Sequence, residues 1–181
     1  MIYAFLANGF EEVEALTPVD YLRRAGKEVV TVGVTGKTVR GAHGISVVSD
    51  IECSDVVLDD SLEGVILPGD MPGTLNLEKS ETVQSALDFA DKNGLMIAAI
   101  CAAPSVLGHK NLLSGKKAVC FPGFENELYG AVLYDGYSVT DGNIITAKGA
   151  GAAADFAFEI ITYLCSKKKA EEIRAIVQTS Y

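Results

Sequence analysis

The chain has 181 residues, 49% apolar and 22% charged, with a net charge of −9 and a pI near 4.7. This length and composition suit one domain over residues 1–181 with a substantial core, and they exclude wholesale disorder. The acidic balance excludes charge-driven binding to nucleic acid, which relies on Lys and Arg neutralising phosphates; the one dense basic run, 167–169, is too short to reverse it.

The N-terminal stretch MIYAFLANGFEEVEAL has no basic leader and turns acidic at once, so it does not read as a signal peptide. No apolar run reaches the roughly 18–20 residues that span a bilayer, and the expected location is cytoplasmic without membrane contact. Cys53, Cys101, Cys120 and Cys165 show neither a CxxC pair nor metal-ligand spacing. Free thiols are therefore expected, with no metal and no disulfide framework.

In chain order, Ile2–Leu6 reads as a buried strand ending at Ala7-Asn8-Gly9. Residues 11–24 carry helical apolar spacing and stop at Ala25-Gly26. Pro18 interrupts that pattern, so a helix starting near Thr17, with 11–16 as a separate turn or kinked segment, is the expectation. A second strand is predicted at 29–34, a hairpin over 38–48, and a third core strand at Gly64–Leu67 closed by Pro68-Gly69-Asp70. A helix over Glu81–Lys92 and an uninterrupted apolar strand at 95–100 follow. Asp141-Gly142 marks a hairpin within 139–146. Residues 149–164 begin as a glycine-rich turn and become an apolar helix, and 167–177 form a last amphipathic one. Strands alternating with helices predict a mostly parallel sheet covered on both faces.

Ligands in such folds collect beyond the carboxyl ends of the strands. Three strand ends carry unusual residues: Asn8 to Glu14, Leu67 to Asp70, and Ala99 to Pro104. Cys101 follows an apolar strand and precedes small residues that permit a sharp turn into a helix, the pattern of a nucleophile elbow. A helix N-terminus there would lower the thiol pKa and favour a thiolate that needs no base. A buried structural cysteine is the competing reading. Glu11, Glu12 and Glu14 all compete to be its proton partner; spacing does not choose among them. His109, about two helical turns past Cys101, reads as a helix-end residue, and His43 as a surface turn residue that could support an anion site beside Arg24. Gly149-Ala150-Gly151 reads as a tight turn beneath the sheet rather than an anion cradle.

Four motifs in order, GFEEVEALTPVDYLRRAG (9–26), VILPGD (65–70), AAICAAPSVL (98–107) and KGAGAAADFAFEI (148–160), resemble the ThiJ/PfpI family, in the branch of Parkinson disease protein 7 and the bacterial ThiJ-type proteins. The resemblance runs over essentially the whole chain. It implies a flavodoxin-like three-layer αβα sandwich with a small β-hairpin, a homodimer, and no cofactor. By position it implies Cys101 as an oxidation-sensitive elbow cysteine and Glu14 as its protonated partner, with backbone amides near Gly69, Asp70 and Ala102 as an anion pocket. Arg24 matches an arginine near the dimer-related pocket; His43, Phe121 and Gly149 are further pocket or dimer contacts. Phe121 stands where many relatives have a histidine, and Ala102 where peptidase-like members have one, which disfavours peptide hydrolysis for want of a general acid.

Two functions are implied. In the first, Cys101 and Glu14 act on small 2-oxoaldehydes or glycated proteins, as glyoxalases and deglycases do. In the second, Cys101 oxidised to sulfinate makes the protein a redox sensor or stress chaperone. A thiazole-biosynthesis role finds no support, since no nucleotide fingerprint is present.

Overall fold

The computed structural model describes residues 1–179. Its central sheet is built on β1 (Ile2–Leu6), β2 (Val29–Gly33), the hairpin β3 (Thr38–Arg40) and β4 (Ser46–Val48) set apart from it, β5 (Ile51–Glu52) and β6 (Gly64–Leu67). Further along come β7 (Met96–Ile100), the short pair β8 (Lys117–Ala118) and β9 (Val132–Leu133), and the hairpin β10 (Ser138–Asp141) and β11 (Ile144–Ala147). The helices are α1 (Glu12–Arg24), α2 (Gly73–Lys79), α3 (Glu81–Lys92), α4 (Pro104–His109), α5 (Ala153–Leu164) and α6 (Lys167–Ile176). The seven-stranded sheet runs β10-β11-β7-β6-β1-β2-β5, antiparallel only at β10–β11.

Because strand side chains alternate, each strand feeds two cores. Tyr3, Phe5, Val65 and Ile97 pack with Leu77, Val83, Leu87 and Val106 of α2, α3 and α4. Ile2, Ala4, Ile66 and Ala98 pack with Val19, Leu22, Phe156 and Ile160 of α1 and α5. The result is the three-layer α/β sandwich that the alternating pattern predicts. Among the described residues, no helix is long and apolar enough to cross a membrane.

The expected break at Pro18 does not occur: α1 is continuous over Glu12–Arg24 with Pro18 inside it. An interior proline costs about 3 kcal/mol through its lost N–H. Burial of Val19 and Leu22 against the sheet, at roughly 1.5–3 kcal/mol each, offsets that. The Glu11 side chain also caps the first turn, accepting from Glu14 N at 2.6 Å.

Two connections set the site. β1 pairs with β2 on one side and β6 on the other, so the chain direction switches beside β1 and leaves a crevice at the strand ends. β11 runs parallel to β7 with Ala147 opposite Ile100. Residues after Ala147 therefore emerge at the same rim as Cys101, which corrects the expectation of a turn beneath the sheet at Gly149-Ala150-Gly151.

Candidate active site

Cys101 leaves β7 with φ +66°, a left-handed conformation rare for a side chain with a Cβ. It is held there from both sides: its N–H donates to Ala147 O at 2.9 Å, and its C=O accepts from Phe121 N at 2.8 Å. The strained strand-to-helix elbow read from the sequence is present, and α4 begins three residues later at Pro104. Asp70, just past β6, is likewise left-handed at φ +71°.

The Glu14 side chain, on the first turn of α1, is buried at 1% exposure, and it and the Cys101 thiol each shift the other's titration. Its Oε2 accepts from Gly69 N at 2.9 Å. A Cβ on Gly69 would lie 2.6 Å from Cys101 Cβ and 2.8 Å from both Glu14 Oε2 and Ile100 O. Only glycine lets the β6 loop close over this pair. The Gly69 amide thus serves Glu14, while the backbone amides of Asp70 and Ala102 serve the sulfur.

Burial pushes Glu14 up to about 7 against the Gly69 bond that opposes it. Burial, followed by the Glu14 charge, pushes the Cys101 thiol up to about 12. The half-buried thiol of Cys101 and the buried carboxyl group of Glu14 open together onto one cavity.

The other two glutamates have separate tasks. Glu11 caps α1. Glu12 faces the β3–β4 hairpin: Oε1 accepts from His43 N at 2.9 Å and Ile45 N at 3.2 Å, and Oε2 meets His43 Nδ1 at 2.9 Å. Glu11, Glu12 and His43 bring one donor atom each within 4.8 Å of one another. The Glu12 oxygens are engaged by the hairpin and Glu11 Oε2 by Glu14 N. A cavity of about 380 Å³ gathers Cys101, Glu14, His43, Asp70, Ala102 and Phe121.

Phe121 stands half exposed in the cavity wall, and Gly149 lies against its ring. Arg24 is not brought to the cavity. It sits at the far end of α1, exposed and bound to Asp20 Oδ2 at 2.8 Å, about 15 Å along the helix from Glu14. No anion site of His43 beside Arg24 forms within the chain. His109 ends α4, as expected, and its ring bridges Glu78 and Glu127. All four cysteines are free: Cys120 buried, Cys53 half-buried and Cys165 exposed. The Glu12–His43 contact had no signal in local spacing, since 31 residues separate the partners. Gly41 was its only trace, for a Cβ there would meet the Glu12 carboxyl carbon at 2.3 Å.

A strained cysteine at the end of a central parallel strand, beside a buried glutamate, defines a class of cysteine-centred three-layer α/β proteins. Within that class the sequence model of the DJ-1/PfpI family matches residues 1–163, and the chain belongs to this family. Protein dj-1beta of Drosophila melanogaster is 35% identical over 179 residues, 97% of this chain and 95% of that one. The glutathione-independent glyoxalase DJR-1.2 of Caenorhabditis elegans is 29% identical, covering 90% of this chain and 87% of that one. The structure of oxidized Toxoplasma gondii DJ-1 matches with a TM-score of 0.94 at 34% identity, over 99% of this chain and 98% of that one.

Proposed function

We propose that the protein converts small 2-oxoaldehydes, or the related groups of glycated proteins, without a cofactor, through Cys101 and Glu14. The observation that carries this reading is the buried thiol–carboxyl pair opening onto the cavity. Sγ bonds to the aldehyde carbon as Glu14 takes the thiol proton, and Glu14 passes that proton to the aldehyde oxygen, giving a hemithioacetal. The amides of Asp70 and Ala102 stabilise charge developing at the site. Glu14 then moves the proton of that carbon to the neighbouring ketone carbon, while the hemithioacetal hydroxyl gives up its proton and the ketone oxygen gains one, producing a 2-hydroxy thioester. Water cleaves the thioester, releasing a 2-hydroxy acid and restoring the thiol. Supporting the substrate class, one relative is a glutathione-independent glyoxalase. The test is hydroxy-acid release from methylglyoxal by the purified protein. Cys101→Ser is expected to abolish it and Glu14→Gln to slow it at least about 100-fold; lactate produced normally by Cys101→Ser overturns the reading.

A second reading, oxidation of Cys101 to sulfinate in a stress sensor or chaperone, is favoured by one feature. The two amides and a protonated Glu14 would satisfy sulfinate oxygens where they satisfy sulfur. Intact-mass measurement after graded peroxide tests it, and the informative competitor is exposed Cys165. Cys165 oxidised while Cys101 stays reduced overturns it. A homodimer in the cytoplasm belongs to the same proposal. Val13, Leu16 and Ile45 are exposed apolar side chains beside the Glu12-anchored hairpin, and light scattering coupled to gel filtration gives the oligomeric state.

A further inference from the structure

The hemithioacetal step has a requirement that one carboxylate does not meet. Removing the proton from one carbon raises negative charge on the ketone oxygen of the next, so a second group must donate there. Phe121, in the cavity wall, cannot. The cavity nevertheless holds one imidazole, that of His43, delivered by the β3–β4 hairpin.

Its mounting is that of a working imidazole. Glu12 is buried, with a side chain only 5% exposed, whereas the His43 side chain is 65% exposed. Glu12 Oε1 fixes the hairpin through two backbone amides, and Oε2 takes Nδ1. This pairing settles the ring orientation and, among the described residues, leaves Nε2 without a hydrogen-bond partner. Gly41 is what permits the approach, because any side chain there would occupy the Glu12 carboxyl position.

We propose that His43 is a second acid–base residue of this site, with Glu12 as the residue that positions it. The proposal rests on the aldehyde reading above. In the balanced step, the hemithioacetal C–H proton passes to Glu14 while Nε2 of the His43 imidazolium gives its proton to the ketone oxygen, forming an enediol. Glu14 then returns its proton to the former ketone carbon, and the neutral imidazole removes the proton of the hemithioacetal hydroxyl, leaving the thioester. No oxidant or reductant enters, and both groups end as they began.

The charged groups facing His43 are Glu12 and Glu11 from the start of α1 and Asp70 from the β6 loop, and all three favour the imidazolium. The step needs the protonated ring, so turnover falls as pH rises through the raised His43 pKa. Replacing Glu12 by Gln removes the largest of these effects, and the alkaline limb should move to lower pH.

The test is methylglyoxal turnover by wild type, His43→Gln, His43→Ala and Glu12→Gln across pH. His43→Gln is expected to lower kcat about 100-fold and remove the alkaline limb, while Cys101 still forms the hemithioacetal in a rapid-mixing burst. Imidazole added to His43→Ala should restore part of the rate, a result a purely structural role would not give. The two backbone bonds to Glu12 should keep the hairpin in place, and thermal unfolding checks this. Wild-type turnover retained in His43→Gln with an unchanged pH profile overturns the His43 role alone. Wild-type protein that releases no hydroxy acid overturns the aldehyde reading and this proposal with it.

Discussion

Glu14 should make the protein less stable at high pH, and Glu14→Gln should remove that penalty. Its ordinary pKa is 4.5, raised to about 7 in the folded protein because burial disfavours the charge. A raised folded-state pKa contributes stability that is complete below the unfolded value and lost as pH rises through the folded one. Over that window the difference is about 3 kcal/mol, of which roughly 2 kcal/mol falls between about pH 5.5 and about pH 8. Glu14 is essentially fully buried, so solvent screening does little to reduce the figure. The assay is urea unfolding of wild type and Glu14→Gln at matched pH, well above the pI near 4.7. Other titrating groups are common to both proteins and largely cancel in the difference. The variant should gain on wild type by about 2 kcal/mol across this range. A difference that stays flat with pH would refute the argument, for it would mean the carboxyl group keeps its ordinary pKa when folded.

Three further outcomes follow from the same geometry. Gly69→Ala should destabilise the fold by about 1–3 kcal/mol, because two of the clashing atoms are backbone or strained Cys101, and should slow Cys101 alkylation by iodoacetamide; a mass-resolved time course and urea unfolding measure both. Cys101→Gly should be more stable than Cys101→Ala by about 1 kcal/mol, reversing the usual order, since only glycine relieves the left-handed φ; paired thermal melts report it. His109 has its pKa raised by Glu78 and then Glu127, so its contribution is complete below its ordinary value of 6.5 and lost as pH rises through the raised one. His109→Gln should therefore cost more at about pH 6 than at about pH 9, by a few tenths to about 1 kcal/mol given its partial exposure, and unfolding at both pH values checks it.

The strands were legible because parallel strands buried on both faces are unbroken apolar runs, as in 95–100 and Gly64–Leu67. The helix Glu81–Lys92 was legible to the residue because Ser80 caps its start and Asn93-Gly94 ends it. The two-residue strands β5, β8 and β9 were not, since a pattern of period two needs more residues to show itself. Pro18 misled because local propensity was set against a buried face the local pattern does not weigh. Cys101 was legible as an elbow, but the enclosure around its thiol was not. The sequence pattern suggests a helix terminus near the thiol, whereas the enclosure that raises the pKa comes from α1 and the β6 loop, far away in the chain.

The acidic run shows the same division at the scale of one helical turn. Glu11, Glu12 and Glu14 lie within four residues, and composition treats them alike. A helix advances about 100° per residue, so Glu12 and Glu14 point about 200° apart. Glu11 precedes the first helical residue and folds back to cap it. One of the others must then face the hairpin and the other the end of β7, which is how Glu12 reaches His43 while Glu14 reaches Cys101. The phase of the helix was available in the sequence, but its rotation about its own axis was not. That rotation is fixed by Ala15, Pro18, Val19 and Leu22 on the buried face. The same packing that overrides the proline therefore decides which glutamate meets the thiol.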